Sequence, residues 1–81
     1  MRFHPDVAIR EEPFGALAYH YGNRKLLFLR DEQLLATLRS IDNGMEVELA
    51  LTTHAGTRAA SVRAAIDQLV RSEVLIDDTT E

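Results

Sequence analysis

The chain has 81 residues, 46% of them hydrophobic and 27% charged, a folding composition that fits one small domain spanning 1–81 and is too short for two cores. Its net charge of −4 weighs against a nucleic-acid partner, and the absence of cysteine excludes a disulfide framework, a thiolate metal site and a thiol nucleophile. Met1-Arg2-Phe3-His4-Pro5-Asp6 lacks the apolar run of a signal peptide and no later run could span a bilayer, so a cytoplasmic protein without a membrane partner is expected.

Val7-Ala8-Ile9-Arg10-Glu11 places β-branched residues at period two and predicts a short first strand. Glu12-Pro13-Phe14-Gly15 reads as a turn, because proline fixes one φ angle and glycine permits a positive one. Ala16 to Tyr21 alternates, with Leu17, Tyr19 and Tyr21 on one face and Ala16, Ala18 and His20 on the other. Gly22-Asn23 then supplies hairpin-turn residues. Lys25 to Leu29 is the third strand, and Leu26, Leu27, Phe28 and Leu29 leave neither of its faces polar. An edge strand normally carries a protecting charge, so either both faces are covered or something joins that edge.

From Asp31 the period changes. Asp31 suits an N-cap, Leu34, Leu35, Leu38 and Ile41 form one helical stripe, and Asn43-Gly44 ends the helix. A short second helix is expected over 46–54, closed by Gly56. The third runs from Thr57 or Ser61 to about Ser72, with Val62, Ala65, Ile66, Leu69 and Val70 on one face. Val74-Leu75-Ile76 continues apolar as a short strand or packed segment, and Asp77 to Glu81 reads as an acidic tail. Sheet residues 1–30 followed by a three-helix part over 31–76 give an α+β fold: a three-stranded antiparallel sheet followed by three helices, of the winged helix-turn-helix type.

Catalysis by this chain is not expected. His4, His20 and His54 are scattered without ligand spacing, so no metal site is assigned. Thr52-Thr53-His54 would point adjacent side chains in different directions on a helix, and the acidic pairs have nothing to desolvate them. The glycines match neither a phosphate loop nor a dinucleotide fingerprint. A DNA-reading third helix would need basic and amide side chains, whereas Arg58, Arg63 and Arg71 stand among alanines with Gln68 as the one amide. Charge is nevertheless uneven. Residues 13–30 hold Arg24, Lys25 and Arg30 with no carboxylate, and residues 49–66 hold Arg58 and Arg63 with none. If those stretches meet in space, the surface prefers an acidic partner.

An open third-strand edge can take an extended peptide as an added strand, backbone bonds giving affinity and flanking pockets taking alternate side chains. The same edge permits a homodimer, and the apolar run is equally consistent with core. Pattern alone leaves these readings open.

The run His4-Pro5-Asp6-Val7-Ala8-Ile9-Arg10, then Glu12-Pro13-Phe14-Gly15-Ala16-Leu17-Ala18-Tyr19-His20-Tyr21-Gly22-Asn23-Arg24-Lys25-Leu26, closing at Phe28-Leu29, resembles the mycofactocin precursor-peptide chaperone family (MftB), itself similar to PqqD-like recognition elements of ribosomally made, modified peptides. Glu11, where proline is common, and Lys25, where a second arginine is usual, depart from that pattern. The resemblance implies a non-enzymatic peptide chaperone that binds the leader of a precursor peptide between the third strand and third helix and delivers it to a radical-SAM maturase. On this chain the groove would comprise Arg24, Lys25, Leu26, Leu27, Phe28 and Leu29 with Val62, Ile66, Leu69 and Val70. Arg24, Lys25, Arg58 and Arg63 would meet acidic leader residues. The iron–sulfur cluster and S-adenosylmethionine would belong to the partner, so no cofactor is expected. A winged-helix DNA-binding regulator and a self-associating structural domain are the alternatives.

Overall fold

The computed structural model describes residues 1–77, so the predicted acidic tail lies outside the described residues except for Asp77. A short strand β1 (Arg2–Phe3) leads into β2 (Val7–Glu12), β3 (Gly15–His20) and β4 (Leu26–Leu29). Helices α1 (Glu32–Asp42), α2 (Val47–His54) and α3 (Ala59–Arg71) follow, and β5 (Leu75–Ile76) closes the described chain. The α+β expectation holds: β2, β3 and β4 form a three-stranded antiparallel sheet in sequence order, with the three helices after it. Two features were not foreseen. β1 pairs antiparallel with β5, Arg2 opposite Ile76 and Phe3 opposite Leu75, and the third strand is a residue shorter than predicted.

Each turn has a local cause. Gly15 adopts φ +143°, and a Cβ there would lie 2.1 Å from the Leu29 carbonyl oxygen, so only glycine lets β3 start beside the end of β4. At the other end, the His20 imidazole Nδ1 accepts from the backbone N–H of Gly22 at 3.0 Å and of Asn23 at 3.2 Å. The Asn23 side chain accepts from the Lys25 N–H at 3.0 Å. Those bonds fix the hairpin turn and take Lys25 out of the strand, while Arg24 occupies the left-handed region at φ 64°. Asp31 caps α1 by accepting from the N–H groups of Gln33 and Leu34 at 3.0 and 3.2 Å.

The core lies between the sheet and the helices. Alternation puts Ala16, Ala18 and His20 on the covered face of β3; the alanines join one buried cluster with Leu35, Leu38 and Ile41 of α1, Leu51 of α2, Val62, Ile66 and Leu69 of α3, and Val74 and Leu75, while His20 is buried beside the His4 ring. Small side chains face inward because helices pack close to the sheet there. The larger Leu17, Tyr19 and Tyr21 therefore turn outward. Ser40 Oγ and His54 Nε2 lie 2.7 Å apart and tie α1 to α2.

Candidate functional site

β4 is the last strand of its sheet, and among the described residues no strand pairs with its outer edge. In an antiparallel pair, bonded and non-bonded residue pairs alternate. The His20 N–H donates to the Lys25 carbonyl at 2.9 Å, which makes Ala18–Leu27 and Ala16–Leu29 the bonded pairs further along. The N–H and C=O of Leu27 and Leu29 therefore point at β3. Those of Leu26 and Phe28 point away from it, offering an incoming chain two donors and two acceptors.

Beside this edge lies a cleft of about 280 Å³ between β4 and α3. Leu27, Phe28 and Leu29 line one wall, Ala65, Gln68, Leu69 and Ser72 the other, and Leu34 of α1 contributes between them. The helix contributors recur at spacings of three and four, hence on one face. Both ends are tied. The Asn23 side-chain amide donates to the Ser72 carbonyl at 3.4 Å, joining the hairpin turn to the end of α3. At the other end Arg58, just before α3, holds Asp31, just after β4, through Nη2 at 2.5 Å and Nη1 at 3.0 Å, and Nη1 also donates to Gln33 Oε1 at 2.6 Å. The Arg58 hydrogen bond, helped by the N–H groups of Leu34 and Gln33 against the opposing effect of burial, pulls the Asp31 carboxyl down to about 2.

Arg2 aside, the remaining cations fall into two groups. Arg63 donates to Glu48 at 2.6 Å and holds its carboxyl below the usual range, Arg39 is bonded to Glu11, and Arg10 to Glu12. Arg24, Lys25, Arg30 and Arg71 are bonded to no carboxylate among the described residues. The first three bracket β4, and Arg71 sits on the last turn of α3 next to Ser72.

Of the residues predicted for a peptide groove, Leu27, Phe28, Leu29 and Leu69 line the cleft. Leu26 gives its backbone to the edge while its side chain stands on the opposite sheet face. Arg24 and Lys25 flank the edge at the hairpin turn. Val62 and Ile66 are buried in the core, and Val70 is half-buried outside the cleft lining. Arg58 and Arg63 are engaged within the chain, by Asp31 and Glu48. Sequence reading missed Leu34, Ala65, Gln68 and Ser72 as lining residues, and did not single out Arg71, which stands next to Ser72 and is bonded to no carboxylate among the described residues. Ala65-Gln68-Leu69-Ser72 is the helical stripe adjoining the core stripe, a signal periodicity could have supplied.

The chain matches the family model of the peptide chaperone MftB family over residues 1–76. A relative from Mycolicibacterium smegmatis named peptide chaperone MftB is 37% identical over 82 residues, covering 99% of this chain and 80% of the relative. Proteins of the same name from Mycobacterium ulcerans and Mycobacterium tuberculosis are 51% and 47% identical over 49 residues, which is 60% of this chain and 45% of each relative. Against those two, the matched stretch therefore spans somewhat under half the relative's length. No solved structure matches the chain.

Proposed function

The chain belongs to the peptide chaperone MftB family, and from that premise we propose that it is a peptide chaperone whose β4 edge captures the leader of a ribosomally made precursor, the mycofactocin precursor, as an added strand. In this reading it is a PqqD-like recognition element with a winged-helix arrangement. It delivers the leader to a radical-SAM maturase and makes no bonds itself, the cluster and S-adenosylmethionine belonging to that partner. The observation that carries the reading is the backbone of Leu26 and Phe28, unpaired among the described residues, beside an apolar cleft, with Arg24 and Lys25 at the hairpin end of the strand.

Magnitudes say what each part must supply. A net backbone hydrogen bond contributes about 0.5–1.5 kcal/mol, so the edge's four groups give on the order of 4 kcal/mol. Micromolar affinity needs about 8 kcal/mol, before the cost of ordering the peptide. Side chains entering the cleft must therefore contribute at least as much as the backbone. An added strand alternates, so every second residue of the peptide would point into the cleft between Leu27, Leu29 and Leu69. Arg24 and Lys25 are the cations poised for carboxylates of the peptide, with Arg71 nearby at the end of α3, whereas Arg30 lies over the Phe14 and Phe28 rings on the outer sheet face. Arg58 would join only by releasing Asp31.

Isothermal titration of the chain with the precursor peptide encoded nearby tests the reading. Micromolar or tighter binding is expected, and no heat at tens of micromolar would overturn it. Reading of DNA by α3 is less well supported, because Arg58 and Arg63 are each held by a carboxylate and so present less charge to phosphates.

A further inference from the structure

Among the described residues, nothing covers the sheet face away from the helices. Leu17, Tyr19 and Tyr21 stand on it from β3 and its turn, Leu26 and Phe28 from β4, and Phe14 at the far end. Leu26 is 50%, Phe28 58% and Tyr21 65% exposed. These rings are already arranged: Tyr19 and Tyr21 meet edge to face at 4.9 Å, and Phe14 and Phe28 lie 5.9 Å apart. The Arg30 guanidinium lies 5.5 and 5.8 Å from the Phe14 and Phe28 ring centres. The solvent face of an antiparallel sheet is ordinarily polar. A pre-packed group of tyrosine, phenylalanine and arginine is instead the composition of an interface centre.

Area, charge and position narrow the occupant. Two strands of six residues and one of four, about 4.8 Å apart and rising about 3.3 Å per residue, cover roughly 250 Å². A stable interface buries about 800 Å² per partner, so this face fits a short-lived complex better than a permanent dimer. Arg10 is neutralised by Glu12, whereas Arg30 lies over two rings and is bonded to no carboxylate among the described residues. A second copy would bring another such face, with its own Arg30 and, among the described residues on that face, no carboxylate but Glu12, which Arg10 holds. A partner presenting apolar side chains and a carboxylate would complement it. Position points the same way. A strand added to β4 extends this face, its alternate side chains standing beside Leu26 and Phe28, while its other side is turned to the cleft and α3.

We propose that the outer face of β3 and β4, with Arg30, is the docking surface for the enzyme that receives the peptide, through an apolar patch of that enzyme bearing a carboxylate opposite Arg30. This rests on the peptide-delivery reading. The peptide, at the edge of β4, and the enzyme, on its outer face, then bind together, not in exchange.

The test uses the full chain, the precursor peptide and the radical-SAM enzyme encoded nearby, measured by biolayer interferometry. Arg30→Glu and Tyr21→Ser alter exposed side chains, and circular dichroism melts check that both variants fold. Peptide affinity is expected to stay within about twofold, while enzyme affinity for the chain–peptide complex falls roughly tenfold or more in each variant. Unchanged enzyme binding in both variants would overturn the docking surface and leave peptide capture standing. Failure of the wild-type chain to bind peptide would overturn the reading beneath it. A wild-type dimer in sedimentation that Tyr21→Ser dissolves would assign the face to a second copy and also overturn the inference.

Discussion

Filling the cleft should weaken peptide capture without harming the fold. Ala65 is half-buried on α3, where its methyl group lines the cleft opposite Leu27 and Leu29. Ala65→Leu adds three carbons to a 280 Å³ space that is open on one side, so the new side chain has room and covers Leu69 and Leu27. The change keeps a strong helix former, and the intrinsic propensity cost is only a few tenths of a kcal/mol. Stability should therefore stay within about 1 kcal/mol of wild type. Binding is another matter, because the leucine takes the place of an inward-pointing peptide side chain. A buried Leu, Val or Phe contributes about 1.5–3 kcal/mol, so losing one anchor weakens affinity by roughly tenfold to a hundredfold or more. Thermal unfolding and isothermal titration with the precursor peptide, run on one preparation, separate the two effects. A folded Ala65→Leu protein that binds peptide as wild type does would refute the reasoning, because no side chain would then be entering the cleft.

Gly15→Ala should destabilise by about 3 kcal/mol or more, since both the positive φ and the Leu29 carbonyl oxygen exclude a methyl group. A melting temperature lowered by less than roughly 10 °C would contradict that close approach. Arg24→Gly removes a cation at a left-handed residue where glycine is at ease, so the fold should hold or gain slightly. Together with Lys25→Ser it should weaken peptide binding about twofold to tenfold at low salt, with the difference fading by about 0.5 M salt. The Asp31 carboxyl titrates lower in the folded chain, at about 2, than in an unfolded one. It therefore adds stability that is fully present above about pH 4 and is lost as pH falls toward 2. Because the Arg58–Asp31 pair faces solvent, the loss should be on the order of 1 kcal/mol, and Arg58→Met should remove most of that acid sensitivity in urea melts between pH 5 and pH 2.

How far the sequence carried can be read from particular residues. The stripe Leu34, Leu35, Leu38 and Ile41, capped by Asp31, defines α1 within a residue because its signals are local. The β1–β5 pairing was not legible, because two-residue segments at opposite ends of the described chain carry no period. The faces of β3 were legible, but not which of them is covered; packing against α1 selects the alanines. The site divides in the same manner. β4 and its cations stand out in sequence, whereas Val62 and Ile66 share the apolar stripe with Leu69 yet are buried in the core away from the cleft. Arg58 and Arg63 looked free because Asp31 and Glu48 lie 27 and 15 residues away in sequence.

The central claim is that a peptide becomes the next strand on β4, and residue-resolved amide-hydrogen exchange by NMR tests it most directly. In the free chain the N–H groups of Leu27 and Leu29, bonded to β3, should exchange slowly and those of Leu26 and Phe28 fast. Saturating precursor peptide should slow Leu26 and Phe28 by roughly tenfold or more, the factor expected when a bond of about 1.4 kcal/mol must open first. Peptide that binds while Leu26 and Phe28 continue to exchange at their free rates would contradict strand addition.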